Sequence, residues 1–233
     1  MLIFILIFSS CKKTSQSDNS QATNVPNNVS NSENIETLEN SKNIYRPLSD
    51  INLEEITKSL DESCYKKYNY HLFENENTWS DSGVRIDEYS KKNLHEYVYR
   101  RDASAYLEPG IICEIDQDTG KISSVYIMQS QEHISETTQN VYKKYFMSLA
   151  ESLFVEVNEE KLEVLFSKLT ASEYLLNKIE KPHSDTIYYF NEICCYSYFM
   201  AGSSKIRFET LTNEQKDEYH LNGISCIDIN NMD

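Results

Sequence analysis

The 233-residue chain has few glycines and prolines, five and four respectively. Its tight turns must therefore lean on Asn, Asp and Ser, which hydrogen-bond their own backbone or tolerate left-handed conformations. It has no Gly-rich phosphate loop and no GxSxG elbow, so the usual signatures of nucleotide binding and serine hydrolysis are missing. It has no CxxC, and His71, His95, His133, His183 and His220 contain no pair at zinc-ligand spacing. Its longest apolar run, Leu2 to Phe8, would span about 10 Å as a helix against a hydrocarbon core of about 30 Å. That run is no transmembrane helix.

Basic residues are also scarce, 22 against 37 acidic, for a net charge of −15. From Lys12 to Pro47 four basic and four acidic residues balance, so 18 basic and 33 acidic residues remain from Leu48 onward. An acidic body repels phosphate backbones and anionic headgroups, which argues against nucleic acid and against a polybasic membrane contact. A cationic protein is the macromolecular partner such a charge favours. Aromatics are plentiful, with 17 Tyr, 9 Phe and 1 Trp, and 39% of residues are hydrophobic. A chain of this size and content can bury roughly 70% of its unfolded surface, so most of it folds.

The N-terminus reads "MLIFILIFSSCKK", an apolar core stopped by two small serines and a cysteine. The core suits a signal peptide. "FSSC" resembles the lipobox of bacterial lipoprotein precursors, with Phe8 where Leu is usual and no Lys or Arg ahead of the core. The resemblance implies that Cys11 is diacylated, that residues 1–10 are removed, and that membrane attachment runs through lipid on Cys11. Lys12, standing where Asp would retain an inner-membrane lipoprotein, implies an outer-membrane or surface address in the cell envelope. Residues 11–43 contain no Gly and no aromatic side chain and read as a disordered tether. The coil from Lys12 to Pro47 would place the domain on the order of 30 Å from the bilayer.

Residues 44–233 are expected to form one α+β domain, an antiparallel sheet covered on one face by two or three helices, with a break near Gln131 as the alternative boundary. "NLEEITKSL" offers Asn52 as cap and Glu55 as its capping-box partner. "YKKYNYHLF" and "LHEYVYR" read as strands around a turn in "ENENTWSDSG". "GIICEIDQDTGKISSVYIM" is a hairpin with Ile111, Cys113 and Ile115 on one face and Val125 and Ile127 on the returning one. Val141, Tyr145, Leu149 and Leu153 stripe one helix. Asn158 caps a second, with Leu162, Leu165, Phe166 and Leu169 as its stripe, and "SEYLLNKIE" suggests a third. "TIYYFNEICCYSYFMAGSSKIRFETL" gives two strands around a turn at Ala201 to Ser204, before a short acidic segment and "GISCIDI".

The candidate chemistry is thin. "DQDTG" at Asp116 to Gly120 offers Asp116 and Asp118 as calcium ligands, but Gly120 and Ile127 stand where further ligands belong, so a hairpin turn is expected. His95 beside Glu96 and His133 beside Glu132 point to opposite faces on a strand. Ser203 and Ser204 read as turn residues. No metal or cofactor is expected. Beyond Cys11, the cysteines Cys64, Cys113, Cys194, Cys195 and Cys226 are odd in number and are expected to be mostly buried thiols. Parity places Cys195 toward the helices and leaves Cys194 the more accessible of the two.

These features point to a lipid-anchored envelope protein that binds or assembles rather than catalyses, with an envelope hydrolase or an acidic inhibitor of a basic enzyme as alternatives. Metabolic labelling with a palmitate analogue should mark the wild-type chain and not Cys11→Ala, since acylation needs the thiol. Equal labelling of both would remove the lipoprotein assignment.

Overall fold

Asn52 starts the first helix, α1 (Leu53–Tyr68), through a reciprocal capping box. Its Oδ1 accepts from the Glu55 amide at 2.9 Å, and Glu55 Oε2 accepts from the Asn52 amide at 3.0 Å. A computed structural model of the protein describes residues 47–73, 78–87, 91–100, 108–130, 132, 134–175, 186–200 and 202–232. The expected signal peptide, Cys11 and the tether lie outside the described residues, as do Gln131, His133 and His183.

A four-strand meander follows α1: β1 (Ser80–Ile86), β2 (Asn93–Tyr99), β3 (Gly110–Asp116) and β4 (Lys121–Ser130). Two helices come next, α2 (Glu136–Leu153), capped by Ser135, and α3 (Glu159–Leu175), whose Lys161 amide donates to Asn158 Oδ1. Then come β5 (Thr186–Phe190), β6 (Ile193–Met200), β7 (Ser203–Thr210), α4 (Asn213–Leu221) and β8 (Ser225–Asp228). The eight strands form one sheet in the order β1-β2-β3-β4-β7-β6-β5-β8. Every neighbouring pair is antiparallel except β5 and β8. The architecture is therefore α+β, as the alternation of strand and helix patterns implies. β4 before Gln131 and β7 after it are hydrogen-bonded neighbours, so the sheet continues across the alternative boundary.

One face of the sheet packs on α1, α2 and α3. Its core joins Ile111, Cys113, Val125, Ile127, Ile206, Phe208 and Cys195 from the strands to Ile56, Leu60, Phe146, Leu149, Leu165 and Leu169 from the helices. Phe208 lies at its centre, 5.9 Å from the Phe146 ring and 5.7 Å from that of Phe154. Each such ring, fully buried, contributes about 3 kcal/mol through water exclusion alone. Ile111, Cys113 and Ile115 share the helix-facing side with Val125 and Ile127, as expected. On α2 the buried stripe is wider than expected, since Tyr142, Phe146 and Met147 join Tyr145, Leu149 and Leu153.

Several local expectations fail. "YKKY" is not strand but the last turn of α1: the helix runs on until Asn69 enters the left-handed region at φ 51°. Lys67 in that turn reaches Glu151 and Glu159 at 2.5 and 2.9 Å, tying α1 to α2 and α3 and favouring helix over strand. "SDSG" belongs to β1, which carries a bulge between Asp81 and Gly83, rather than to a turn. "SEYL" continues α3 instead of starting another helix. Ser203 and Ser204 lie within β7, not in the turn. Asn191 and Glu192 break "TIYYFNEICCYSYF" into two strands, Asn191 supplying φ 54°. The acidic segment is helix α4, capped by Thr212.

The break at Asn191 shifts the parity of β5 but not of β6. Cys195 still faces the helices, now with Tyr188 and Phe190. Cys194 is not the accessible one: α4 folds over that end of the second face, and Cys194 packs with Ile187, Tyr196, Tyr198 and Leu211 against Tyr219. All five described cysteines are free thiols, four of them buried and Cys226 half-buried. Alkylation of the native protein with a bulky maleimide should therefore modify Cys226 first, with Cys194 and Cys195 both slow. Rapid labelling of either would show that β6 is open on one side.

Candidate functional site

Alternation on the central strands points every second side chain away from α1, α2 and α3. On β7 that set is Lys205, Arg207 and Glu209; on β6 it is Cys194, Tyr196 and Tyr198; on β4 it is Ser124, Tyr126 and Met128. Backbone register lines these up across strands: Glu96, Glu114, Ser124, Glu209 and Cys194 form one row, and Tyr126, Arg207 and Tyr196 the next. Gly110, Met128, Lys205 and Tyr198 form the third. Among the described residues α4 is the one helix on this second face, and it sits at the β5 and β8 end.

The first row is anchored by Glu114, which is fully buried. Arg207 Nη2 lies 3.0 Å from Glu114 Oε2, and Arg85 Nε donates to Oε1 at 3.1 Å. Ser124 Oγ also donates to this carboxylate. Arg207 Nε donates to Glu209 at 2.9 Å, and the Tyr219 hydroxyl donates to the same residue at 3.3 Å. The Tyr126 hydroxyl donates to Glu96 at 3.2 Å, with Arg85 Nε 3.7 Å from that carboxylate. A buried carboxylate survives only when paired and hydrogen-bonded, and Glu114 meets both conditions. Burial works against the Arg207 charge, but Tyr196, Glu114 and Glu209 outweigh it and hold the guanidinium charged.

Lys205 is the exception. It is 7% exposed, and among the described residues its ammonium has no hydrogen bond and no carboxylate within ion-pair distance. It lies over two rings instead, 4.8 Å from the Tyr126 centroid and 5.5 Å from that of Tyr198. Burial lowers the Lys205 pKa, Glu96 and Glu114 oppose that, and Arg85 and Arg207 reinforce it. Burial also pushes the Tyr198 hydroxyl up to about 12.

The residues singled out in the sequence lie elsewhere. Asp116 accepts from the amides of Asp118 and Thr119 and pairs with Lys92 at 2.9 Å, with Gly120 at φ 67°, so "DQDTG" is a hairpin turn. His95 stacks on Tyr97 and meets Asp81 at 2.7 Å, while Glu96 points to the opposite face. His71 Nδ1 is 2.6 Å from Asp61, whose other oxygen accepts from the Leu72 and Phe73 amides. Burial would raise the Asp61 carboxyl, but these bonds outweigh it and hold it below the usual range. Among the described residues no Ser, Thr or Cys is hydrogen-bonded to His71, so Asp61 and His71 staple the chain after α1. Beside them Leu53, Thr57, Phe73 and Trp79 line an open groove of about 490 Å³, with the Trp79 indole donating to Thr57 at 2.8 Å. Among the described residues no cluster of three His, Cys, Asp or Glu side chains is placed to hold a metal ion.

Sequence reasoning missed the second-face lattice. The available signal was "SKIRFET", where Lys205, Arg207 and Glu209 alternate with Ile206 and Phe208, and the lone Glu114 within "IICEID". Comparison with protein families, curated proteins and solved structures found no match to this chain.

Two substitutions separate a paired charge from an unpaired one. Glu114→Gln should lower unfolding stability in urea by about 3 kcal/mol, because Arg85 and Arg207 lose their shared counter-charge inside the fold. Lys205→Met should change it by no more than about 1 kcal/mol, since the lost ring contacts are offset by relief of ammonium desolvation. The reverse order of effects would show that Lys205, not Glu114, organises this face.

Proposed function

We propose that the chain is a bacterial envelope lipoprotein, held to a membrane by lipid on Cys11, whose domain is a binding module that meets its ligand through the second face of the sheet. The Lys205 ammonium is the observation that carries this. A desolvated charge with no counter-ion costs stability that an isosteric apolar residue would spare, and such groups are characteristic of sites with a partner outside the chain. The run "LIFILIFSSC" and the polar stretch to Pro47 support the anchor and tether. The second face supports binding over catalysis, because its carboxylates and guanidinia neutralise one another instead of converging on a reacting atom. The acidic body leaves a cationic protein as a further partner class, meeting surfaces other than this one.

The test compares retention of the Cys11→Ala chain on isolated envelope material. Lys205→Met should lower retention by at least about tenfold, whereas Lys58→Glu, a change on the exposed side of α1, should not. Equal retention of both variants would overturn the assignment of this face.

A further inference from the structure

Cations and carboxylates are not mixed evenly over the second face. Glu96, Glu114 and Glu209 occupy one row, and each lies within ion-pair distance of Arg85 or Arg207. The row through Lys205 holds Gly110, Met128 and Tyr198 and contains no carboxylate. Arg100 crosses the far end of that row: a Cβ at Gly110 would lie 3.2 Å from Arg100 Cγ, so the missing side chain is what lets the arginine lie there. Arg207 closes the other side, with its guanidinium carbon 6.0 Å from the Tyr126 centroid. The Lys205 nitrogen is not among the side-chain atoms sealed from solvent without a hydrogen bond. The Lys205 ammonium is thus a cation with no carboxylate within ion-pair distance among the described residues, walled by the Tyr126 and Tyr198 rings.

We infer that the Lys205 ammonium, seated against the Tyr126 and Tyr198 rings, anchors an oxyanion site that takes a carboxylate or phosphate group of the ligand. The inference rests on the proposed role of this face and adds the chemistry of what is bound. An oxyanion supplies the close charged contact that none of Glu96, Glu114 and Glu209 makes with this ammonium, and a partly desolvated ammonium binds it more strongly than a surface lysine does. The rings exclude water around the pair, and the ammonium itself repels a cationic ligand. Binding favours the protonated amine, so affinity is lost as pH rises through the lowered Lys205 pKa.

The test is an NMR titration of the full chain carrying ¹³C-lysine, with inorganic phosphate in one arm and acetate in the other, at constant ionic strength set with sodium chloride. The Lys205 Cε signal should shift saturably in at least one arm, and the arm with the lower half-saturation assigns phosphate or carboxylate. Thermal stabilisation by that anion should require at least about tenfold more of it in Lys205→Met, a variant expected to fold. A Lys205 signal unmoved by both anions, or stabilisation unchanged in Lys205→Met, overturns the inference. Retention on envelope material that depends on Lys205 without any anion response would leave the binding face standing and remove the oxyanion. An anion response without Lys205-dependent retention would do the reverse.

Discussion

The seam between β4 and β7 is the constraint on which the rest of the structure depends. It joins a meander and a second strand group separated by two helices, with paired positions running from Ser124 and Glu209 to Ser130 and Ser203. Side chains alternate with period two, so a one-residue slip at this seam would turn Lys205 and Arg207 into the helical core and Ile206 and Phe208 out of it. The penalty for burying two charges against Phe146 and Leu149 far exceeds the strength of any single ladder bond, so the register is strongly specified. Both the hydrophobic core and the polar lattice follow from that one alignment.

The lattice does not add much to stability by its mere presence. Ion pairs withdrawn from water recover little beyond their desolvation cost, and an apolar replacement of similar volume often does as well. What Glu114 contributes is an arrangement: one carboxylate fixes two guanidinia from β1 and β7 at set positions, across strands that are not neighbours. Arg207, held by Glu114 and Glu209, keeps its orientation beside Tyr126 and Tyr196. The side chains around Lys205 are thereby held in one arrangement by contacts within the sheet.

Where local chemistry and tertiary environment agree, the fold was legible in the sequence. The Asn52 capping box, the "DQDTG" hairpin and the Leu162, Leu165, Leu169 stripe each name their element without reference to anything distant. The misreadings occur where tertiary contacts decide. Tyr65 to Tyr68 look like strand residues, but Lys67 is held in helix by Glu151 and Glu159 on two other helices. Helix α4 lacks an apolar stripe, and only its Thr212 and Gln215 capping box marks it. A left-handed Asn191 at a two-residue turn resembles any other Asn in a Tyr-rich run. The candidate site escaped notice for a related reason: Glu114, Tyr126 and Lys205 are brought together by pairing partners far apart in the chain, and no short motif spans them.

The parallel pairing of β5 with β8 has a consequence for how the molecule comes into being. Strand β5 lies between β6 and β8, yet residues 225–228 are made some thirty-five positions after it. Until they have been synthesised, the outer edge of β5 offers bare amides and carbonyls to whatever strand is nearby, the condition under which sheet proteins mispair. The sheet therefore stays incomplete at this edge until residues 225–228 are in place beside β5.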